Sequence, residues 1–581
     1  MWDRTRRRAR QALLYDVGST RLPGFAVFPG DSRPFGATRK EPLLASYQKA
    51  FDAIDQFVER RIKAANIPGL AMALTDREKL LRVSTYGFAD VAAQAPITPD
   101  TLFEIGSLGK PFTNMALLQL REEGKFDLQT PVTQYLPWFH VRSDYPPITG
   151  HHLMTHTAGM IRGTDLAPHG LYECWALRET KISMPPGEYC SYSNIGYQIL
   201  GFLLEELTGQ SYPDVIQSRV LEPLGMTHTH PVTTFETHKQ MATGYHDLYD
   251  DRPEHPSHGL VPAMWVEYGT GDGAQASTAA DMARYLRMLL NRGQGPQSRL
   301  LSEENFALLI QPWIWTGNAY YGYGLVTYQV DDRTYIGHGG TNARYTSAIL
   351  VDMEDGFGII LLTNRAEDLT RVEEAAMHVL TILRGVYHHQ EIPPLPPATD
   401  PCAIPQAADY AGVYRAGHRV LHLTAEDGKL LLEYDGRVMA LERRAQDRFY
   451  VGPPDLDLFL LEFGRHNGEV VEAFHGSHWY ISDRYAGPQR FDYPEAWDAY
   501  PGHYRAHNPE LSNFRVVLRK GALALILPRG EVESLHPLDD GSFRIGEDHR
   551  SPETLRFDAV VKGRALRADY SGCPYYRTFT P

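Results

Sequence analysis

Residues 103–112 read Phe103-Glu-Ile-Gly-Ser107-Leu-Gly-Lys110-Pro-Phe112, a Ser-x-x-Lys motif where an extended run is predicted to turn into a helix. Residues three apart share one face of a helix, so we expect the Lys110 amine within reach of the Ser107 hydroxyl. A serine hydroxyl is a weak nucleophile until a neighbouring base accepts its proton. The helix N-terminus also favours negative charge on that oxygen. The motif therefore predicts Ser107 as a nucleophile and Lys110 as its partner.

A second segment, Tyr192-Ser-Asn194, follows a Pro-Gly turn and carries groups that such a serine needs. Tyr192 is the second candidate for the base, and the residues alone leave open which of Tyr192 and Lys110 takes the proton. Asn194 is expected either to donate to a substrate carbonyl or to orient Lys110.

A third segment, His338-Gly-Gly340, ends a strand-like run that begins near Thr334. Gly339 and Gly340 lack a Cβ, so we expect substrate to lie along this strand without a steric clash. Together with His338 they form the predicted substrate-binding edge of the site.

These three segments, in this order, resemble the penicillin-binding-protein and serine β-lactamase superfamily. The Tyr-x-Asn form is similar to class C β-lactamases, β-lactamase-like carboxylesterases and D-aminopeptidases. Four other stretches agree with this resemblance: Leu153-Met-Thr-His-Thr-Ala-Gly159, Pro185-Pro-Gly-Glu188, Leu221-Glu-Pro-Leu-Gly-Met226 and Ser277-Thr-Ala-Ala-Asp-Met-Ala283. The resemblance covers about residues 46–385. It implies an acyl-enzyme on Ser107, an oxyanion hole formed by the backbone N–H groups of Ser107 and Thr341, and no cofactor.

His338 departs from the lysine that β-lactamases and transpeptidases keep at this position. A lysine is a permanent cation that anchors a substrate carboxylate, whereas a histidine is mostly neutral at pH 7. We therefore expect carboxylate-bearing β-lactams to bind poorly, and neutral esters, amides or amine-bearing peptides to be favoured.

Two other patterns are candidates for binding sites. His152 and His156 are four residues apart, as in some metal sites, but no acidic or cysteine ligands accompany them, so no metal is predicted. Asp272 lies in Gly271-Asp-Gly273 and could bind a substrate amine, although a simple turn aspartate is the more ordinary interpretation.

The hydrophobic periodicity predicts an α+β fold, with an antiparallel sheet flanked by helices and a helical lobe inserted between residues 115 and 320. The predicted organisation is an N-terminal arm, a serine hydrolase domain, a proline-rich linker and two β-barrels, at residues 1–45, 46–390, 391–405, 406–493 and 494–581. Six prolines between residues 393 and 405 mark the linker.

The two barrels are predicted from an internal repeat. Tyr410-Ala-Gly-Val-Tyr-Arg415 matches Tyr500-Pro-Gly-His-Tyr-Arg505, and Arg448-Phe-Tyr-Val-Gly452 matches Ser542-Phe-Arg-Ile-Gly546. Short alternating runs broken by turns in both copies indicate small antiparallel barrels. By the resemblance, D-aminopeptidases also carry two such barrels, although esterase relatives with such modules are not excluded.

The chain has 581 residues, a net charge of −14 and four scattered cysteines. This charge argues against binding nucleic acid or an anionic membrane surface, and the cysteines do not form a disulfide framework. The basic residues near the N-terminus precede no long apolar segment, so we expect a cytoplasmic protein without a membrane span. Association of copies into a homo-oligomer is left open.

The sequence thus predicts a serine hydrolase acting on a small-molecule or short-peptide acyl substrate. D-amino-acid amides or peptides are the favoured substrates, and a carboxylesterase or an acyltransferase is the alternative. A contrasting interpretation is an inactive scaffold whose barrels bind ligands.

Overall fold

The computed structural model describes residues 42–163, 170–267, 269–273, 275–330, 333–342, 344–397, 400–452, 455–508 and 511–579. The predicted arm of residues 1–45 lies outside these residues apart from its last four, which belong to the first helix. Among the helices of the described residues, none is both long and apolar enough to cross a membrane.

A nine-stranded antiparallel sheet forms the centre of the catalytic domain, with the spatial order β3-β2-β1-β9-β8-β7-β6-β5-β4. Its strands are β1 Gly69–Thr75, β2 Leu80–Asp90, β3 Ala95–Pro96, β4 Ile314–Trp315, β5 Tyr320–Tyr321, β6 Val326–Val330, β7 Arg333–Thr341, β8 Thr346–Asp352 and β9 Phe357–Thr363. Strands β1, β8 and β9 are buried along their whole length. Their nearly continuous apolar sequences are those expected of strands covered on both faces.

Five long helices cover the two faces of this sheet: α1 Pro42–Ala64, α2 Lys110–Glu122, α3 Asn194–Thr208, α4 Ala279–Leu290 and α5 Leu369–Tyr387. One face packs against α1 and α5 through side chains such as Ile54 and Val379. The other face packs against α2, α4 and the helical lobe that contains α3. Helix α1 begins at Pro42, four residues before the predicted start of the domain.

Shorter helical segments complete the domain and the chain. The α-helical ones are Val132–Tyr135, Gly150–Met154, Gly170–Ala176, Tyr212–Ile216, Glu222–Leu224, Phe235–His238, Glu303–Ile310 and Ala407–Tyr410. The 3-10 turns are Gly106–Gly109, Leu177–Glu179 and Glu495–Ala499, and Gln217–Leu221 is a π-helical turn. Two small strand pairs join Phe103–Glu104 to Ala276–Ser277 and Tyr245–Asp247 to Leu260–Pro262.

The second C-terminal repeat is a closed eight-stranded barrel. Its strands are Gly502–Arg505, Asn513–Arg519, Ala522–Ile526, Val532–Pro537, Phe543–Ile545, Thr554–Val561, Arg564–Tyr570 and Cys573–Arg577. The first repeat is one nine-stranded sheet that curls almost to closure. Its strands are Gly412–Ala416, Arg419–Glu426, Lys429–Tyr434, Arg437–Ala440, Glu442–Ala445, Arg448–Tyr450, Leu461–His466, Glu469–His475 and His478–Ser482.

The first sheet differs from a closed barrel at one corner. Its two edge strands, Arg437–Ala440 and Glu442–Ala445, follow each other directly in the chain, with only Leu441 between them. Leu441 N donates to Leu430 O at 2.8 Å, so the chain itself turns this corner. Apart from this corner, the predicted α+β architecture with two small antiparallel barrels is confirmed.

Both copies of the repeat contain an equivalent hydrogen bond from a tyrosine hydroxyl to a backbone carbonyl. Tyr414 OH donates to Tyr410 O at 3.0 Å in the first copy, and Tyr504 OH donates to Tyr500 O at 2.7 Å in the second. All four tyrosines belong to the repeated Tyr-x-Gly-x-Tyr-Arg motif. The motif therefore builds the same first corner in each barrel.

Candidate active site

Ser107 lies in the 3-10 turn Gly106–Gly109, which leads directly into α2. Within residues 101–110 the serine is the one residue that is not buried. Gly106 has a φ of +53°, a conformation that glycine adopts without strain. This turn presents the Ser107 hydroxyl at the N-terminal end of α2, where developing negative charge is stabilised.

Lys110 is fully buried, and its Nζ lies at hydrogen-bonding distance from three oxygens. These are Ser107 Oγ at 2.9 Å, Asn194 Oδ1 at 2.9 Å and the backbone carbonyl of Asp272 at 2.8 Å. The last two are acceptors only, so each takes one N–H from the amine. The third position around Lys110 Nζ faces Ser107 Oγ. A charged amine donates an N–H to the serine from this position, and a neutral amine can accept the serine proton there.

Tyr192 supplies the second partner of the serine, because its hydroxyl donates to Ser107 Oγ at 2.8 Å. Lys110 Nζ lies 5.0 Å from the centre of the Tyr192 ring. Asn194 is the first residue of α3, and Ser193 caps this helix by accepting from Gly196 N. The structure thus brings Ser107, Lys110, Tyr192 and Asn194 together, and Asn194 contacts Lys110 as one of its two expected roles requires.

His338 is buried behind Tyr192, and both nitrogens of its ring are engaged. Nδ1 lies 2.6 Å from the carbonyl of Gly339 and must donate to it, while Nε2 lies 3.1 Å from Tyr321 OH. Tyr321 OH also lies 3.1 Å from Nε2 of His156, whose Nδ1 accepts from Ser193 N at 3.0 Å. The bonds are satisfied together when both rings are neutral: His156 donates to Tyr321, and Tyr321 donates to His338.

Both histidines are held neutral at physiological pH. Burial and, secondarily, the nearby Lys110 ammonium lower the pKa of His338 to about 3. Burial followed by the same ammonium holds the pKa of His156 well below its ordinary value. The burial of His338 therefore agrees with the expectation that this position carries no permanent cation. Both ring nitrogens already have partners within the protein.

We expect this neutral histidine to make stability depend on pH. Below pH 6.5 the unfolded chain protonates His338, whereas the native site excludes that proton down to about pH 3. The stability that depends on a neutral His338 is thus fully present above pH 6.5. Below that pH the free energy of unfolding falls by roughly 1.4 kcal/mol per pH unit. Between pH 6.5 and 4, His338→Gln should make the urea midpoint less dependent on pH. The decrease in slope should correspond to one proton fewer taken up on unfolding. An unchanged slope would contradict this assignment.

The glycines of β7 serve packing inside the protein. A Cβ on Gly340 would lie 2.0 Å from the carbonyl of Ile105, and one on Gly339 would lie 2.4 Å from the Leu369 side chain. The space where each Cβ would lie is therefore filled by the chain itself, and substrate binding along this strand stays a prediction. What the glycines allow is the close approach of β7 to the segment that precedes Ser107.

This approach places the two expected oxyanion donors near each other. A Cβ built on Gly106 would lie 3.2 Å from Thr341 N, so the end of β7 borders the Gly106–Ser107 peptide. Ser347 Oγ donates to the carbonyl of Ile105 at 2.8 Å and fixes that segment against the sheet. The backbone N–H groups of Ser107 and Thr341 thus lie on adjoining segments, as an oxyanion hole requires.

A buried ion pair fixes the loop that follows Thr341. Arg344 Nη2 lies 3.0 Å from Glu104 Oε2, and the two side chains are 6% and 1% exposed. Asn342 Nδ2 donates to the same carboxylate oxygen at 2.7 Å. Glu104 lies three residues before Ser107, so this cluster joins the nucleophile segment to the end of β7.

Removing the charge from this pair should destabilise the domain strongly. Glu104→Gln leaves the Arg344 guanidinium buried without its counter-ion, a loss of about 3–5 kcal/mol. Glu236→Gln is the matched control, since its partner Lys239 is exposed and such surface pairs contribute under about 1 kcal/mol. The urea midpoint of the catalytic domain measures both effects. Equal, small shifts for the two variants would refute the role given to the buried pair.

Asp272 contacts Lys110 through its backbone carbonyl. The carbonyl accepts from Lys110, while the buried carboxylate accepts from Thr270 Oγ1. The idea that this carboxylate binds a substrate amine stays a prediction. Within the described residues, no group of three or more His, Cys, Asp or Glu side chains could hold a metal ion.

The second barrel contacts two segments that adjoin Tyr192. Glu553, just before the barrel strand Thr554–Val561, accepts from Arg162 N at 2.6 Å. The Arg162 guanidinium in turn lies 5.9 Å from the Tyr192 ring centre. Arg550 from the same barrel segment stacks over Tyr189 at 3.8 Å. The loop 546–553 therefore borders the segment that carries Tyr192.

Sequence reasoning missed several of these residues. Tyr321, Arg344 and Glu553 carry no motif, and the spacing of His156 points only to a metal ligand. The partners of these side chains lie far away in the chain. Lys110 donates to the backbone carbonyl of Asp272, and Glu553 accepts from the backbone N–H of Arg162; backbone atoms have no sequence signature. Glu104 does have a weak sequence signal, because it is an acidic residue between apolar neighbours.

Comparison with known proteins agrees with this geometry. The sequence model of the beta-lactamase family matches residues 54–384. Protein flp of Staphylococcus aureus strain N315 is 28% identical over 324 residues, which are 54% of this chain and 62% of flp. An uncharacterized protein of Mycobacterium tuberculosis, MT1414 of strain CDC 1551 / Oshkosh, is 30% identical over 273 residues, 42% of this chain and 68% of that protein. The chain thus spans about three fifths of the length of flp.

Two solved structures share the fold. The octameric penicillin-binding protein homologue from Pyrococcus abyssi aligns with a TM-score of 0.55 and 25% identity, covering 74% of this chain and all of that one. EstCE1, described as a hydrolase with promiscuous acyltransferase activity, aligns with a TM-score of 0.51 and 20% identity, covering 58% of this chain and 99% of that one. The resemblance to the superfamily is confirmed, whereas the class C-like branch stays a prediction.

Proposed function

Because this chain belongs to the beta-lactamase family and has the constellation of a serine hydrolase, we propose that it cleaves small acyl compounds through an acyl-enzyme on Ser107. The observation that carries the proposal is the Ser107 Oγ atom, which lies within hydrogen-bonding distance of both Lys110 Nζ and Tyr192 OH. An oxygen placed between an amine and a phenol has two groups that can take its proton as it attacks a carbonyl.

The reaction follows from this arrangement. Ser107 Oγ bonds to the acyl carbon, and its proton passes to Lys110 or Tyr192. The carbonyl oxygen becomes an oxyanion that the N–H groups of Ser107 and Thr341 stabilise. The protonated base then gives the proton to the departing amine or alcohol as the carbonyl re-forms. Water repeats the sequence and releases the acid, restoring the serine.

For substrate we propose D-amino-acid amides or short D-amino-acid peptides. The position of His338 carries a neutral ring, so no permanent cation there selects substrates with a carboxylate, as the lysine of β-lactamases would. The loop 546–553 borders the Tyr192 side of the site and favours short substrates. Asn194 Oδ1 accepts from Lys110, and no residue of the described chain accepts from its amide NH₂, which can therefore donate to the substrate carbonyl.

Carboxylesterase activity is the second candidate. The same neutral ring accommodates an ester as well as an amide, since neither presents a charge at the scissile group. Self-association is a further proposal, supported by the fold that the chain shares with the octameric homologue from Pyrococcus abyssi. Light scattering of the purified protein measures it directly.

A panel of D- and L-alanyl nitroanilides beside short-chain nitrophenyl esters tests the substrate. We expect hydrolysis of the D-anilide well above that of the L-anilide. Equal turnover of the stereoisomers would remove the D-aminopeptidase proposal. Turnover of the esters alone would establish the esterase. A protein that turns over no substrate and does not react with a fluorophosphonate would be the inactive scaffold.

A further inference from the structure

The interior of the first barrel ends in a cavity that the catalytic site does not use. Its volume is about 340 Å³, within the range of small-molecule sites. Leu421, Leu432, Val451 and Leu461 form its apolar wall and are all buried. Barrels of this size hold one small ligand when their side chains leave room at one end.

The polar residues at the mouth follow from the strand pattern. Side chains two apart point to the same face of a strand. Arg419 precedes the inward Leu421 by two positions, and Tyr434 follows the inward Leu432 by two. His475 likewise follows the buried Ala473. Each inner row thus changes from apolar to polar at the same end of the barrel.

Arg419 is the cation of this mouth. Its side chain is exposed and lies close enough to interact with Tyr480, another residue of the cavity. Among the described residues, no carboxylate forms an ion pair with Arg419. Asp455 interacts with the cavity residue Tyr434 and lines a neighbouring depression, not the cavity itself.

Other titratable side chains lie at or beside the mouth, and His418 and His475 are the histidines that line the cavity. Glu433 and Asp435 line a neighbouring depression and not the cavity itself. Burial lowers the pKa of His475 to about 4, so this ring is neutral at pH 7, and its Nε2 donates to Leu456 O at 2.8 Å. Arg419 therefore remains the one permanent positive charge on the described residues that line the cavity.

The second barrel shows what happens when this end is filled. Tyr414 pairs with Leu421 in the first barrel, and Tyr504 pairs with Phe514 in the second, so Leu421 and Phe514 are equivalent. The pairs His475–His478 and Tyr570–Cys573 end the corresponding hairpins, which makes His475 equivalent to Tyr570.

Aromatic rings occupy this end of the second barrel. Phe514 lies 4.8 Å from Tyr575 and 6.0 Å from Tyr570, measured between ring centres. In the first barrel a leucine and a histidine stand in place of Phe514 and Tyr570, and the cavity remains open. The two copies thus differ at the positions that decide whether a ligand fits.

We propose that the first barrel binds a medium-chain carboxylic acid, with the carboxylate at Arg419 and the alkyl chain against the leucine wall. An arginine binds a carboxylate through two parallel N–H donors. The apolar wall excludes a wholly polar ligand, because burying an unpaired polar group is unfavourable. The proposal concerns a site separate from Ser107 and does not depend on the activity proposed above.

Isothermal titration of the full chain with octanoate, octanol and octyltrimethylammonium tests this site. We expect one octanoate per chain, bound roughly tenfold more tightly than octanol, the effect of one charged hydrogen-bonding group. The octyltrimethylammonium cation should bind more weakly than octanol. Absence of octanoate binding, or equal binding of the anion and the cation, would overturn the proposal.

Two variants localise the binding. Leu421→Phe copies the residue of the second barrel and should abolish octanoate binding while leaving hydrolase activity unchanged. Arg419→Gln, at an exposed position, should weaken octanoate roughly tenfold and leave octanol unaffected. Lys429→Gln is the control, an exposed cation of the same barrel that pairs with Glu426 at the end of the hairpin opposite Arg419 and does not line the cavity. Octanoate binding that survives both cavity variants unchanged would place the ligand elsewhere and refute the proposal.

Discussion

Lys110→Met should reduce turnover about 10⁴-fold for every acyl substrate the protein accepts, a loss of the size seen when a serine nucleophile loses its activating group. Methionine keeps most of the buried volume but cannot donate to Asn194 Oδ1 or to the Asp272 carbonyl, and it cannot accept a proton from Ser107. The expected change lies in kcat, with little change in KM, because the amine acts on the nucleophile.

Lys125→Met is the matched control for this variant. Lys125 lies just after α2, where it pairs with Glu123 and is more than half exposed. We expect it to retain wild-type turnover. Circular dichroism and the urea midpoint should show that Lys110→Met still folds. A folded Lys110→Met protein with turnover within tenfold of wild type would contradict the role of this amine.

Gly340→Ala should lower kcat by about 10²–10³-fold, the effect of losing one oxyanion donor. The added methyl group would lie 2.0 Å from the carbonyl of Ile105 and 2.5 Å from Ser347 Oγ, so β7 must move away from the nucleophile turn. Such a shift carries Thr341 N away from the oxyanion. We expect Ser107 to keep its hydrogen bonds to Lys110 and Tyr192, and so to react with a fluorophosphonate, only more slowly.

Gly452→Ala provides the comparison for that substitution. An added Cβ at Gly452 meets no atom within 4 Å, and its backbone does not have the positive φ that requires glycine. We expect unchanged activity and stability. If Gly340→Ala behaved like Gly452→Ala, the proposed contact between β7 and the oxyanion would be wrong.

Local sequence patterns sufficed for the parts of the site that are close together in the chain. Ser107 and Lys110 share a turn and a helix, so their spacing alone brings the amine to the hydroxyl. The meeting with Tyr192 required knowledge of how distant segments converge, and it came from the resemblance to a known superfamily. The residues themselves gave no distance between these segments.

Sequence reasoning missed the contacts that involve backbone atoms or buried polar groups. The Asp272 carbonyl binds Lys110 whatever the side chain is, so the sequence carries no sign of this contact. The glycines of β7 were explained by substrate alone, and their close packing against Ile105 and Leu369 was not predicted from the sequence. Short periodic strands predicted both barrels, but the corner at Leu441 depends on tertiary packing, which alternation does not encode.

The central claim, that Ser107 is the nucleophile, is tested most directly by peptide mapping after labelling with a fluorophosphonate. We expect one adduct per chain on the peptide that contains Ser107, absent in Ser107→Ala and formed far more slowly in Lys110→Met. An adduct on a different serine, or none on a folded and pure protein, would contradict the account.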